Sequence, residues 1–278
     1  GRPGAPAMNA ALEGWIGRSR TQQDGITRPA LRRIAALLDR EMDFPAASPI
    51  PPHWYAMFFP EIARQSALGP DGHPQRGDFL PPVALPRRMF AGRRVRFHAP
   101  LRVGDTAEKR SEIVAITPKT GRSGAMVVVT INHRISVGGT LCVEEAQDVV
   151  YREAPAPGAT PPPATPPPAA TWQQQMQPTP TLLFRYSSVT WNTHRIHYDA
   201  DYARGEEGYP ALVVNGGLTL LLLLEAAIGV HGHPPQAIAV RNIRPLFANA
   251  PVTLAGDGAR TAWAANAAGA LAVLAELD

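Results

Sequence analysis

Two histidines, His194 and His197, lie in the densest polar cluster of the chain, residues 186–199. Histidine titrates close to neutral pH, so an imidazole can accept a proton from one reacting atom and give a proton to another. The same cluster holds the polar side chains of Asn192 and Arg195. A solitary histidine is usually a surface or capping residue, but this density of polar groups favours a catalytic loop.

The elements around the cluster indicate how it is positioned. The cluster connects a predicted strand, residues 182–191, to a predicted short helix, residues 199–204. Such a junction offers unpaired backbone donors and the end of a helix dipole. Residues 213–230 are apolar on nearly all sides of a helix and are therefore predicted to be buried. Three strand-like runs follow, which indicates an α+β arrangement of one helix covered by an antiparallel sheet. These runs are residues 237–247, 252–260 and 271–277.

The first half of the chain repeats much of this order. Residues 28–40 have the apolar spacing of a helix, with Thr27 as the predicted N-cap and Pro29 in the first turn. Four runs of strand character come later, at residues 93–97, 109–117, 125–136 and 141–151. Residues 97–105 and 247–257 share an aromatic residue, an Ala-Pro pair and a terminal Gly-Asp, at a separation of about 150 residues, which favours a duplication.

A compositional boundary separates the two halves. Residues 154–180 contain ten of the thirty prolines of the chain and almost no aliphatic side chains. Proline removes backbone donors and favours polyproline II, so this stretch is predicted to be an exposed, semi-rigid linker. The sequence therefore predicts an N-terminal module of residues 1–153 and a C-terminal module of residues 181–278 that carries the polar cluster.

Composition excludes several classes of protein. The 278 residues are 45% hydrophobic and 18% charged, enough apolar material for a packed core. The basic residues behind the formal charge of +4 are scattered, which argues against a nucleic-acid partner. The longest aliphatic run, residues 220–224, is too short for a membrane span. The lone Cys142 excludes a disulfide framework, and His231 and His233 lack a third neighbouring ligand, so no metal is expected. No secretory signal is recognisable, and a cytoplasmic location is expected.

The polar cluster resembles the hydratase motif of the MaoC-like hotdog hydratases and dehydratases. Five positions fit that motif: Tyr186, Ser187, Thr190, Ile196 and His197. Four positions depart from it, with Trp191, Asn192, His194 and Arg195 in place of Gly, the catalytic Asp, Asn and Pro. The variant is similar to the subgroup of mesaconyl-4-CoA (3-methylfumaryl-CoA) hydratases, itaconyl-CoA hydratases and mitochondrial-type hydroxyacyl-thioester dehydratases. The likeness extends to residues 65–74, 79–82, 207–216 and 244–247.

This resemblance implies a double hotdog, in which each of two modules wraps a curved antiparallel sheet around a helix. It implies an active site built mainly from the second module, while the first module is non-catalytic and shapes the acyl pocket. The implied partner is an acyl-CoA thioester substrate. Neither a metal nor a redox cofactor is expected, because CoA is part of the substrate. The family also allows a homodimer of double-hotdog chains.

The resemblance also assigns roles to residues. Adding water to an enoyl thioester needs a base for the water, an acid for the α-carbon and donors at the carbonyl oxygen. His197 is the implied base, and Asn192 occupies the position of the second catalytic group. Backbone N–H groups of Gly216 and Gly217, at the start of the buried helix, are the predicted oxyanion hole. Because Asn192 cannot ionise, it orients the water while His197 makes both proton transfers, or one of three other groups assists: His194, Asp199 or Glu207.

Four side chains are predicted to bind the substrate: His194, Arg195, Tyr198 and Asn215. Arg195 has two alternatives, a free carboxylate on a C4 or C5 dicarboxylic acyl group, or a salt bridge to Asp199 or Asp201. The expected activity is that of a hydro-lyase acting on mesaconyl-4-CoA or itaconyl-CoA. The alternatives are a 3-hydroxyacyl-thioester dehydratase of fatty-acid type, a hotdog thioesterase and a non-catalytic thioester-binding subunit.

Overall fold

The computed structural model describes residues 12–121, 124–154 and 163–278. Its strands are β1 (Ser19–Gly25), β2 (Arg87–Phe97), β3 (Thr106–Gly121), β4 (Gly124–Val137), β5 (Thr140–Arg152), β6 (Trp172–Met176), β7 (Ala237–Asn242), β8 (Val252–Gly256), β9 (Thr261–Ala265) and β10 (Leu271–Leu277). Its α-helices are α1 (Arg28–Leu37), α2 (Pro180–Thr190), α3 (Ala200–Gly205) and α4 (Gly216–His231). Short 3-10 helices span Pro52–Met57, Gln65–Ala67 and Arg195–His197.

All these strands belong to one antiparallel sheet whose two halves mirror each other. The strand order is β1-β3-β4-β5-β2-β7-β10-β9-β8-β6. The halves meet where β2 pairs with β7, from Gly92 opposite Arg241 to Arg96 opposite Ala237. From this junction the first half continues outward through β5, β4, β3 and β1, and the second half continues outward through β10, β9, β8 and β6. The two halves therefore have the same strand order. The arrangement is the predicted α+β double hotdog.

The duplication is visible in the loops as well, but in a different register from the predicted one. An isolated bridge joins Pro49 to Arg102 in the first half, and another joins Val213 to Phe247 in the second half. Arg102 is therefore the counterpart of Phe247, whereas the sequence pattern matched Phe247 with Phe97. Ala, Pro and Gly are abundant in this chain, so matching these residue types did not determine the correct alignment of the first half with the second half.

The same bridges show how the halves have diverged. In each half the bridged residue precedes a helix by three positions: the 3-10 helix Pro52–Met57 follows Pro49, and α4 follows Val213. The first half thus has a short 3-10 helix where the second half has a sixteen-residue helix. A long segment, residues 58–86, then leads to β2 with the 3-10 helix Gln65–Ala67 as its one regular element. This segment is long enough to extend to the other half.

Residues 182–191 were predicted to form a strand, and that prediction is wrong. Residues 182–190 belong to α2, and Trp191 is its C-cap. The helix begins where the Thr179 side chain accepts a hydrogen bond from the Leu182 N–H, with Pro180 in the first turn. Leu183 and Tyr186 are buried at helical spacing. A short run rich in aromatic and β-branched residues is compatible with a strand as well as with a helix, so its residue pattern alone did not distinguish the two. The polar cluster, residues 186–199, therefore comprises the last turn of a helix and the loop that follows it.

Strand β6 lies inside residues 154–180, the predicted linker. It pairs with β8 at one edge of the sheet, with Trp172 opposite Gly256 and Met176 opposite Val252. Its central residues are glutamines, which carry no strand signal of their own, so sheet pairing determines this strand. Residues 155–162 lie outside the described residues. The division into modules 1–153 and 181–278 stays a prediction.

Helix α4 is the buried element that ties the halves together. Its Leu218, Leu223 and Ala227 are buried, as the apolar sequence predicted. Glu225 lies on the same helix and accepts hydrogen bonds from His53 and from the Trp54 indole at 2.7 and 2.9 Å. Although burial acts in the opposite direction, these bonds lower the pKa of Glu225 to about 2. The middle of α4 is thus held against the first half of the chain. Among the described residues, no helix has the length and apolarity needed to cross a membrane.

Candidate active site

His197 lies in a short 3-10 helix after α2 and is buried. Its Nδ1 is 2.7 Å from the backbone carbonyl oxygen of Val213. Because a carbonyl oxygen only accepts, Nδ1 carries the proton and Nε2 keeps its lone pair. Burial lowers the pKa of His197 to about 3. At neutral pH the ring is therefore an uncharged base whose tautomer is fixed by the fold.

Three histidine rings meet at this point, and one of them comes from the first half of the chain. The ring centre of His194 is 5.5 Å from that of His197 and 4.1 Å from that of His73. Nδ1 of His73 is 3.0 Å from Oδ2 of Asp71, and the backbone N–H of His73 donates to the other carboxylate oxygen. Burial by itself would raise the pKa of Asp71, but these hydrogen bonds outweigh burial and hold the pKa well below its usual range.

Sequence reasoning did not assign a role to Asp71 or His73, although both lie in the segment 65–74 that carries the family likeness. The structure docks this segment on the polar cluster. The Thr193 hydroxyl donates to the Gly72 carbonyl at 2.6 Å, and the Arg195 N–H donates to the Asp71 carbonyl at 2.9 Å. Gly72 has φ +87°, and a Cβ there would lie 2.0 Å from the Thr193 carbonyl oxygen. The Asp-Gly-His spacing, with a glycine between two polar residues, was the available signal.

Glu207 also contacts His194. Its Oε1 is 3.5 Å from Nε2 of His194. Arg87 of β2 donates to the Glu207 carboxylate and, at 3.0 Å, to its backbone carbonyl. The hydrogen bond from His194 is the main reason that the pKa of Glu207 is lowered. Glu207 is therefore an ionised carboxylate that already has a cationic partner.

The remaining predicted residues of the loop have clear structural contacts. Oδ1 of Asn192 accepts a hydrogen bond from the backbone N–H of His194 at 3.1 Å, and this bond fixes the orientation of the Asn192 amide. Of the two alternatives for Arg195, the structure shows the salt bridge: Nε and Nη2 lie 3.0 and 2.8 Å from Oδ2 of Asp199. Tyr198 is exposed, and its hydroxyl donates to the Thr193 carbonyl at 2.9 Å.

The start of α4 lies next to His197, because Val213 is only three residues before Gly216. The first intrahelical bond that the described residues make here runs from Thr219 N–H to the Asn215 carbonyl. The N–H groups of Gly216, Gly217 and Leu218 therefore have no backbone acceptor in the part of the chain that the structure describes. Asn215 is 2% exposed, and neither of its amide atoms has a hydrogen-bond partner there. Such donors next to a neutral base suit a developing oxyanion.

One cluster has the spacing of a metal site. Ligand atoms of Asp71, His73 and His194 lie within 4.8 Å of one another. The Asp71 carboxylate, however, already accepts two hydrogen bonds from His73, including one from a ring nitrogen. The described geometry is thus that of an Asp–His pair beside a second imidazole.

The buried neutral histidine has a consequence for stability. The pKa of His197 is about 3 in the folded protein against 6.5 for an ordinary histidine, so the unfolded chain binds more protons between these values. Stability therefore falls as the pH drops below about 6.5 and continues to fall until about pH 3. We expect this group alone to cost about 2 kcal/mol between pH 7 and pH 5.

Urea unfolding at the two pH values measures this loss, with His197→Gln as the comparison. The variant has no group that titrates in this range at position 197 and should lose less stability on acidification. An equal loss in both proteins would contradict the lowered pKa.

Comparison with known proteins first defines the structural class. The MaoC-like dehydratase of Phytophthora capsici superposes with a TM-score of 0.67, covering 94% of this chain and 95% of the other at 14% identity. Another MaoC-like dehydratase gives a TM-score of 0.69, with coverage of 96% and 99% at 15% identity. These likenesses show that the fold is the hotdog fold of MaoC-like proteins.

Sequence comparison identifies the family. Residues 53–248 match the family hydroxyacyl-thioester dehydratase type 2, and the chain belongs to it. The mesaconyl-C(4)-CoA hydratase of Chloroflexus aurantiacus is 46% identical over 243 residues, 86% of each protein. The mitochondrial hydroxyacyl-thioester dehydratase type 2 of Schizosaccharomyces pombe is 26% identical over 76% of this chain and 79% of that protein.

Proposed function

We propose that this protein is a hydro-lyase that adds water to the double bond of mesaconyl-C(4)-CoA. The observation that carries the proposal is the neutral, tautomer-fixed His197 beside the unpaired N–H groups at the start of α4. The 46% identity to a mesaconyl-C(4)-CoA hydratase supports the choice of substrate. The same reaction read backwards is a dehydration, so the family name and the proposed activity describe one type of active site.

The proposed roles follow from the chemistry of an enoyl thioester. His197 Nε2 takes a proton from water as the water oxygen bonds to the β-carbon. Negative charge then develops on the thioester oxygen, which accepts hydrogen bonds from the N–H groups of Gly216 and Gly217. Asn192 orients the water with its amide NH₂ group, because its Oδ1 is already occupied by the His194 N–H.

Asn215 is the strongest candidate for a direct substrate contact. A buried amide without a partner costs stability, so a residue that keeps one is expected to have a ligand. His194, Arg195 and Tyr198 line the same loop and are proposed to shape the acyl site around the reacting carbons. The reaction needs no cofactor, since CoA enters as part of the substrate.

A thioesterase is the less favoured alternative. Attack at the thioester carbon would need a carboxylate nucleophile or base that is free to approach it. Asp199 is bonded to Arg195, and Glu207 is bonded to Arg87. The proposal also includes a cytoplasmic site of action, which the sequence itself led us to expect, and a homodimer of double-hotdog chains, which the family resemblance supports.

The test uses the purified protein with mesaconyl-C(4)-CoA, itaconyl-CoA and crotonyl-CoA. Loss of enoyl-thioester absorbance is followed beside an assay for free thiol. The proposal expects absorbance loss without thiol release, fastest with mesaconyl-C(4)-CoA. Release of thiol would show a thioesterase, and silence in both assays would leave a thioester-binding subunit as the better description.

A further inference from the structure

We infer that His73, held by Asp71, is the second proton-transferring residue of this active site, so that the first half of the chain supplies a catalytic residue. The inference rests on the proposed function and names the group that protonates the α-carbon. It differs from the expectation that the N-terminal module only shapes the acyl pocket.

The need for a second group arises at Asn192, which cannot ionise. Asp199 is taken up by the salt bridge to Arg195 and by capping α3. Glu207 is taken up by Arg87, and its carboxylate is ionised. Neither acid is available to hold and release a proton at neutral pH. A histidine remains the suitable side chain, since imidazole can both bind and release a proton there.

His73 has the geometry of a proton carrier. Its Nδ1 is hydrogen-bonded to the Asp71 carboxylate, so Nε2 is the nitrogen that exchanges protons. A carboxylate in this position orients the ring and stabilises the imidazolium, as in hydrolase triads. His197 has a backbone carbonyl in the equivalent position, which gives its imidazolium much less support. Of the two rings, His73 is therefore better suited to carry positive charge.

The two rings both lie next to His194, whose ring centre is 4.1 Å from that of His73 and 5.5 Å from that of His197. The His73 side chain is 21% exposed, so it also reaches solvent. Of His73 and His197, His73 is therefore the ring that can exchange its proton with solvent, since His197 is buried.

The loop that carries His73 is fixed to the catalytic loop. Three hydrogen bonds cross between them: Thr193 Oγ1 to Gly72 O, Arg195 N to Asp71 O and Arg195 Nη1 to Pro70 O. Gly72 is packed so closely against Thr193 that no side chain fits. Fixed placement of this kind is what a proton-transfer group needs, since its contribution depends on short distances to the reacting atoms.

The charge balance of the site explains when His73 is protonated. Without substrate, burial lowers the pKa of His73 to about 4; Arg88 and His194 act in the same direction, and Asp71 opposes them. The substrate, also named 3-methylfumaryl-CoA, has its free carboxylate on the β-carbon, the atom that water attacks. Binding places this anion beside the three rings and favours a protonated imidazole. A substrate without the carboxylate does not provide this effect.

The step balances without a co-reactant. One O–H bond of water breaks and its proton goes to Nε2 of His197, while the oxygen forms a bond to the β-carbon. The π electrons move through the α-carbon to the thioester oxygen. As the carbonyl re-forms, the α-carbon takes the proton from Nε2 of His73. The proton on His197 passes to solvent as the product leaves, His73 takes up a proton from the solvent that it reaches, and the net change is the addition of one water molecule.

The experiment compares His73→Gln and Asp71→Asn with the wild type on mesaconyl-C(4)-CoA. A general acid or base accelerates a reaction by a factor of about 100 or more. The kcat of His73→Gln should therefore fall about 100-fold, while KM changes little. The matched control is His98→Gln, since His98 pairs with Glu144 at 2.8 Å on the surface after β2. It should keep the wild-type kcat.

Two further readouts separate proton transfer from a structural role. Added imidazole should restore a measurable part of the activity of His73→Ala but not of a variant that is merely misfolded. The wild-type kcat should also remain high to a higher pH with mesaconyl-C(4)-CoA than with crotonyl-CoA, which lacks the carboxylate. Both effects depend on a proton held at His73.

The outcomes are distinguishable. An active wild type together with a fully active, folded His73→Gln overturns the role of His73 and leaves the proposed function intact. Loss of wild-type activity on chelation, restored by Zn²⁺, overturns it in favour of a metal held by Asp71, His73 and His194. A wild type inactive on all three thioesters overturns the proposed function and this inference with it. A 100-fold lower kcat, imidazole rescue and the pH shift together support it.

Discussion

Replacing His197 with alanine should lower kcat for mesaconyl-C(4)-CoA about 1,000-fold, within the range for loss of a general base. The ring is the neutral base of the proposed reaction, and its Nδ1–H is held by the Val213 carbonyl. With the base removed, water must attack the β-carbon unassisted. KM should change much less, because thioester binding depends on other groups. Steady-state kinetics of enoyl absorbance loss measures both quantities.

A structural explanation of this loss is tested with two controls. His197→Gln keeps a side-chain N–H that can donate to the Val213 carbonyl but has no basic nitrogen, so it should be folded and nearly as inactive. His133→Ala removes another poorly exposed histidine, bonded to Ser111 and Gln147 between strands, and should leave kcat unchanged. A fully active His197→Gln would contradict the role of His197 as base.

The clustering of polar side chains at this site was predictable where it depended on one stretch of sequence. His194, Asn192 and His197 lie within six residues of one another, and the structure brings all three to the same place. The buried helix α4 was also predictable from its apolar run, although the predicted residues 213–230 begin three residues before the helix does. In these cases the neighbours in space are neighbours in sequence.

The contribution of the first half was not predictable in the same way. Asp71 and His73 lie about 120 residues before His194, and only the docking of one loop on another joins them. That loop lies in residues 58–86, which follow a 3-10 helix in the first half at the place where the second half has α4. Periodicity detects helices and strands, but not which irregular segment crosses from one module to the other.

Two errors have a related cause. The predicted strand at 182–191 is a helix because the cap at Thr179 and the tertiary packing of Leu183 determine its conformation. Strand β6 was missed because its glutamines have no apolar alternation, and pairing with β8 is what orders it. In both places tertiary contacts outweigh local preference.

A second large effect is expected at Gly217. A Cβ on this residue would lie 2.1 Å from the hydroxyl oxygen of Tyr186 and 3.2 Å from the ring carbon that bears it. Tyr186 is buried on α2, so its ring cannot move aside freely. Gly217→Ala should therefore displace the start of α4 and cost about 2 kcal/mol of stability. The N–H groups proposed to hold the oxyanion move with it, and kcat should fall about 1,000-fold.

The neighbouring glycine provides the matched comparison for stability. At Gly216 the nearest atom to an added Cβ is the Asn242 amide nitrogen at 3.5 Å, an ordinary contact. Gly216→Ala should consequently unfold at nearly the wild-type urea concentration, whereas Gly217→Ala should unfold earlier. The cause can then be tested by Tyr186→Phe, which removes the hydroxyl oxygen responsible for the 2.1 Å contact. If this clash is the reason for the loss, the double variant Tyr186→Phe, Gly217→Ala regains stability relative to Gly217→Ala. If the stability losses of the two single variants simply added in the double variant, the contact with the Tyr186 hydroxyl would not be the reason that position 217 requires glycine.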